Sequence, residues 1–190
     1  MSYQAEWKDG RETKAGQRDC ARRYEAIKRE LTGKIKHREN PLTVLDVGAY
    51  QAYFSIRLAE EFGADCYAID PYKGLPSGLL EFPNGGKVVP VRKKIEPADL
   101  GTLGFHDVGL LLSVLHHVPF WRELLITVVG RSRLAFVELP DPREILPNAR
   151  MHAETEQMHD LVRATGGITV AWTPGYDPTY DRPMYAIGSL

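Results

Sequence analysis

The stretch VLDVGAYQAYFSIRLAEEFGADCYAID, Val44 to Asp70, decides the fold. With Leu42 and Thr43 before it, its opening is a continuous apolar run closed by Asp46 and Gly48. Such a run is the pattern of a strand buried on both faces of a parallel sheet. The segment Ala52 to Phe62 has apolar residues at 54, 56, 58, 59 and 62 and a stop at Gly63, which predicts a helix. Cys66 to Ile69 is a second strand, ending at Asp70-Pro71.

The alternation continues outward. Further strands are predicted at Val88–Val91, Val108–Ser113, Leu134–Glu138, Ile168–Trp172 and Met184–Ile187. Helices are predicted from Pro119 to Val129 and from Ala153 to Thr165, with a capped turn over Glu96–Leu103. The glycines and prolines of residues 72–87 leave a short or irregular crossover, and Pro140, Pro142 and Pro147 make a loop. This order predicts an α/β fold: a doubly wound, mostly parallel, seven-stranded sheet closed by a C-terminal antiparallel hairpin. Upstream, Cys20, Tyr24, Ile27, Leu31 and Ile35 form one stripe of a helix spanning about Thr13–Lys36, after an irregular first dozen residues. The organisation read from this is an N-terminal extension with a lid-like helix, residues 1–39, lying across a domain of residues 40–190 or packed against its edge.

Composition narrows the function. The 190 residues are 43% hydrophobic and 26% charged, with a formal net charge of -1, so a polyanion binder held by bulk charge is disfavoured. Two distant cysteines, Cys20 and Cys66, supply neither a disulfide framework nor a thiolate zinc site. No apolar run has the length of a membrane helix, and the polar N-terminus lacks the hydrophobic segment of a signal peptide. A cytoplasmic setting is the expectation.

Gly48 directly after a buried strand admits close backbone approach by a ligand, and the helix that follows offers free amides. Asp70 ends the next strand, 24 residues after Asp46, where an acid accepts hydrogen bonds from ribose hydroxyls. These residues, with LLLSVLHHV at 110–118, resemble the class I S-adenosylmethionine-dependent methyltransferases. The form Gly-x-x-Gln-x-x-Phe-Ser is similar to a subset that includes methyltransferase domains capping bacterial polysaccharides. The resemblance implies S-adenosyl-L-methionine as cofactor. It implies that Asp46 orients the loop and the methionine ammonium, that Gly48, Ala49 and Tyr50 lie against the cofactor, and that Asp70 holds the ribose. Ile95 would flank adenine, and Ser113 and Leu115 would line the cleft beside the sulfonium. From the N-terminal helix, Gln17, Arg18 or Tyr24 would contact the cofactor carboxylate; Tyr24 also fits the apolar stripe. Tyr50 and Ala52 stand where the commonest family pattern has glycines.

Chemistry is expected at the same sheet end. His117 and His116 are candidate bases, His117 the favourite because it lies farther into the loop; packing beside Val114 or Val118 is the other reading. Glu138, ending a strand, is a candidate for orienting a histidine or binding a substrate hydroxyl, or else is satisfied by the proline-rich loop. His152 is a third candidate facing the cleft. These residues show no HxxxH or HExxH spacing, so no metal is expected. Arg143 and Arg150 are candidate anion binders, whereas Lys87, Arg92, Lys93 and Lys94 read as an exposed edge. Tyr176 and Tyr180 are strand packing or an aromatic substrate wall, and Tyr3 and Trp7 are candidates for closing the lid.

The expected activity is methyl transfer to a small-molecule or glycan-like acceptor, oxygen preferred, with nucleic acid an unlikely partner. A nicotinamide-dependent oxidoreductase, an RNA or protein methyltransferase, and a non-catalytic cofactor-binding protein remain as alternatives.

Overall fold

Strands covered by helices on both sides have no solvent face, which is why the apolar runs lie side by side as a parallel sheet. The computed structural model describes residues 2–35, 39–146 and 148–190. An N-terminal hairpin, β1 (Glu6–Lys8) and β2 (Arg11–Lys14), leads to α1 (Cys20–Leu31), β3 (Thr43–Val47), α2 (Tyr53–Phe62) and β4 (Asp65–Ile69). Then come β5 (Leu80–Glu81), β6 (Lys87–Val91), β7 (His106–Leu112), α3 (Trp121–Gly130) and β8 (Ser132–Glu138). The chain closes with α4 (Thr155–Ala164), β9 (Ile168–Pro174) and β10 (Asp181–Gly188).

The main sheet has the order β5-β6-β4-β3-β7-β8-β10-β9. Strands β6, β4, β3, β7 and β8 run parallel, and β10 runs against both β8 and β9. The seven expected strands are all present. The eighth, β5, is a two-residue antiparallel edge strand from the glycine-rich crossover, which forms no helix. Side chains alternate across the sheet: Val44 joins the core under α1 and α2, whereas Leu45 and Val47 join the core with Trp121, Leu125 and Met158 of α3 and α4.

The N-terminus differs from expectation in two ways. The first residues form a hairpin rather than irregular chain, because Trp7 packs on the Arg57 guanidinium, 4.1 Å away, and its indole N–H donates to Glu60 at 2.5 Å. The helix begins later than Thr13, at Cys20, where the Asp19 carboxylate accepts from the Arg22 N–H. It ends at Leu31; the expected end at Lys36, like Pro147 of the later loop, lies outside the described residues. Tyr24, Ile27 and Leu31 of α1 share one core with Val44, Phe54 and Leu58, so the extension is packed onto the sheet domain. No described helix is long and apolar enough to cross a membrane.

Candidate active site

The sheet changes winding direction between β3 and β7, and a crevice opens at the carboxyl ends of the strands there. The turn after β3 forms one wall. Gly48 has φ +80°, and a Cβ there would stand 2.7 Å from Val114 Cγ2. Tyr50 (φ +54°) and Ala52 (φ +64°) are left-handed as well. The loop therefore keeps a glycine-type backbone while carrying side chains, at a cost of about 1–3 kcal/mol per residue. Asp70 holds it in place: its Oδ2 accepts from Tyr50 N–H at 2.9 Å and its Oδ1 from Tyr72 N–H at 2.7 Å. The Tyr50 and Tyr72 rings stack at 4.0 Å, and Tyr3 meets Tyr50 edge-on at 5.7 Å.

The crevice encloses about 400 Å³. Gly48, Tyr50, Asp70, Ile95, Ser113 and His117 all line it. Tyr3, a candidate for closing the lid, lines it too, as do Val118, Phe120, Lys93 and Lys94, which carry no expected cofactor contact. Position alone marks Val118, which ends the quoted LLLSVLHHV, and Phe120, two residues beyond it. Lys93, on a stretch expected to be an exposed edge, reaches the crevice rim while its ammonium pairs with Asp99.

Other expected residues stand behind the wall. Ala49 and Leu115 are buried core. Asp46 is buried and accepts from the Ser55 hydroxyl at 2.7 Å, so it fastens α2 to β3 rather than meeting an ammonium in the crevice. Burial, with a smaller contribution from Asp70, pushes its carboxyl up to about 7, against the Ser55 bond. Tyr24 is buried with the Arg57 guanidinium 3.7 Å over its ring, on the stripe and away from the crevice. Gln17 is exposed and outside it.

Glu138 is also a correction. It is fully buried, and its oxygens accept from Arg18 at 3.0 Å, Arg23 at 2.8 Å, Thr173 at 2.9 Å and the Ser113 hydroxyl. Burial alone would raise its carboxyl; the two guanidiniums overcome that and hold it at about 2, an ion and no base at neutral pH. Arg18 is thus committed to Glu138 instead of a cofactor carboxylate, and its other nitrogen donates to the Tyr3 hydroxyl at 3.1 Å. Beside them, Arg182 makes a bidentate pair with Glu144, 2.7 Å at both contacts, and donates to Ser113 Oγ at 3.0 Å. Sequence gave no signal for Arg23, Glu144, Thr173 or Arg182, because each comes from a different element. Ser113, with φ +59°, is the point where this buried network meets the crevice.

The histidines separate. His117 Nδ1 lies 3.2 Å from the Asn148 carbonyl oxygen, which only accepts; Nδ1 therefore carries the proton and Nε2 keeps its lone pair. Burial lowers its pKa, so the neutral base dominates at neutral pH. His116 is 2% exposed and faces a smaller neighbouring cavity; burial, with His117 and Arg182 nearby, pushes it down to about 2. His152 lies beyond both cavities, its Nδ1 beside the Thr155 hydroxyl. Arg143 is exposed and paired to Asp141. Among the described residues, no group of three or more His, Cys, Asp or Glu side chains is placed to hold a metal.

The crevice suits a nucleoside joined to an amino acid. Asp70 retains acceptor lone pairs for a diol beyond its two backbone bonds. Ile69, Ile95, Val118 and Phe120 give it apolar walls, and Ser113 and Tyr3 add hydroxyl groups.

No protein-family model and no curated protein sequence matches the chain. Solved structures do. WbdD, in a co-crystal with a kinase inhibitor, superposes with a TM-score of 0.73 at 21% identity, over 91% of this chain and 42% of that one. This chain thus spans less than half the length of WbdD, elsewhere described as a bifunctional kinase-methyltransferase. The N-terminal domain of EvdMO1 with SAH bound gives 0.64 at 14% identity, over 100% of this chain and 92% of that one. Magnesium protoporphyrin IX methyltransferase from Synechocystis PCC 6803, with bound SAM, gives 0.59 at 16%, over 89% and 78%. The fold is that of the class I S-adenosylmethionine-dependent methyltransferases.

Proposed function

We propose that the chain is an S-adenosylmethionine-dependent methyltransferase acting on a hydroxyl of a small-molecule or glycan-like acceptor. The observation that carries this reading is Asp70, lining the crevice and hydrogen-bonded to the turn after Gly48, at the point where the sheet changes direction. The SAH and SAM held by two of the similar folds support it. Bound there, the cofactor supplies a methyl group made electrophilic by its sulfonium. Asp70 would hold the ribose diol, Ile95 and Ile69 flank the adenine, and Gly48, Tyr50 and Ser113 border the methionine part. His117 Nε2 takes the acceptor's hydroxyl proton as the new C–O bond forms and the C–S bond breaks. Glu138 and Arg18 act through Ser113 and Tyr3, holding both in place. Residues 2–35 act as a cover fixed on the crevice by Tyr3, against the domain that follows. Two free, buried cysteines fit a reducing compartment such as the cytoplasm.

The test is calorimetric titration of the protein with S-adenosylmethionine, S-adenosylhomocysteine and NAD. Both sulfur cofactors should bind and NAD should not. Asp70→Ala should weaken binding roughly ten- to hundredfold, the worth of hydrogen bonds to a charged acceptor. Binding of NAD alone would replace this reading with the oxidoreductase.

A further inference from the structure

Beside the crevice lies a second cavity of about 230 Å³, and Tyr3 and His117 line both. A group bound in one therefore meets a group bound in the other at these two side chains. The wall of the second cavity also carries His116, Asn148, Tyr176 and Arg182. Arg182 is the charged residue on it among the described residues, and all three of its nitrogens are already committed to Glu144 and Ser113. Nη1 and Nη2 each keep one further N–H, and the charge of Arg182 is matched by the bidentate carboxylate of Glu144. His116 is buried with no partner for Nδ1, so nothing stabilises a proton there. Beyond this paired charge, the polar groups facing the space are neutral.

Two tyrosines complete it. Tyr176 is 56% exposed, yet its backbone is pinned, because its N–H donates to Glu144 Oε1 at 2.6 Å. That places an aromatic ring at the cavity rim on an anchored main chain. The Tyr3 oxygen accepts from Arg18, which leaves its own proton to donate at the junction.

We propose that this second cavity is the acceptor site, that it takes an uncharged hydroxylated ring of sugar size rather than a phosphate or carboxylate, and that Tyr3 orients the oxygen to be methylated. The ring lies with its C–H face on Tyr176 and its hydroxyls on the neutral amide and imidazoles. The reacting hydroxyl sits between Tyr3 and His117, on the cofactor's side. This assignment rests on the methyl-transfer reading, and its test separates the two.

Saturation-transfer NMR would be run on the whole chain, with and without S-adenosylhomocysteine, using methyl hexopyranosides against hexose 6-phosphates and hexuronates. Neutral rings should bind at least about tenfold tighter than their acidic counterparts, and Tyr176→Ala should weaken them by about tenfold, the scale of one lost aromatic contact. Tyr3→Phe should leave ring binding within about twofold and lower the methyl-transfer kcat by about ten- to a hundredfold, the loss expected of a single buried hydrogen bond. A preference for the phosphates or uronates, no ring bound at millimolar concentration, or a Tyr176→Ala protein that binds rings unchanged would each overturn the assignment. Equal losses in kcat and ring affinity for Tyr3→Phe would remove Tyr3 from it. Rings bound without any affinity for S-adenosylhomocysteine would instead count against methyl transfer and leave the cavity as a sugar site.

Discussion

At the scale of single residues, the crevice depends on backbone geometry that side chains must tolerate. Gly48 is the sharpest case, since φ is positive and Val114 fills the space where a Cβ would go. Gly48→Ala should destabilise the protein by about 2 kcal/mol or more, from strain plus overpacking, and abolish binding of S-adenosylhomocysteine. Urea denaturation and calorimetry check the two effects separately. His117 carries the proposed proton transfer, and His117→Gln should lower kcat by roughly 10²–10⁴-fold. Its pKa is below the ordinary histidine value because of burial, so the base form is lost only as pH falls beneath neutrality. The wild-type kcat/KM should therefore rise with pH and level off at a lower pH than an ordinary histidine base would give, and the variant should lack that acid limb.

Between elements, α1 is fastened to the ends of β7 and β8 by the Arg18, Arg23 and Glu138 cluster. Removing one partner leaves buried cations, and Glu138→Gln should cost about 3–5 kcal/mol in chemical denaturation. The pH dependence follows from the direction of the shift. Glu138 titrates near 2 in the fold and near the ordinary 4.5 when unfolded, so its stabilisation is complete above about 4.5 and disappears as pH falls towards 2. Asp46 behaves oppositely. Its folded value, about 7, lies above its ordinary 3.8, so its contribution is full below 3.8 and is lost as pH rises to about 7. Asp46→Asn should thus gain stability relative to wild type across that interval and keep a constant advantage above it, as measured by denaturation midpoints in a pH series.

For the whole molecule, the crevice joins β3, β4, β7 and the N-terminal segment through Tyr3, so a ligand there adds contacts between that segment and the sheet with which it already shares a core. S-adenosylhomocysteine at a hundred times its Kd should add about 2.7 kcal/mol, raising Tm by roughly 5–10 °C for a chain of this size. A thermal scan with NAD at the same concentration should show no shift. Deletion of the first eighteen residues should remove both Tyr3 and the Arg18 pair, and with them most of the ligand-induced rise.

The sequence by itself determined the alternation of strands and helices, the Gly48 turn, Asp70 and the histidine pair, because each is written locally: an apolar run, a stop, an acid at a fixed distance. At Tyr50 and Ala52, where glycines are the commoner family pattern, bonds to Asp70 and Ala49 hold a left-handed backbone on residues that do not prefer it. Tertiary structure alone decided the hairpin of β1 and β2, whose charged sequence has no buried face and which forms because Trp7 finds Arg57 and Glu60 on α2. It alone turned Glu138 and Arg18 from expected ligand contacts into a buried pair, 120 residues apart in the chain. It also brought Tyr3, His117, Tyr176 and Arg182 around one cavity. Periodicity reports which face of an element is buried. The partner that meets a buried charge is fixed only when distant elements pack, and the energy that selects it exists only once water has been excluded between them.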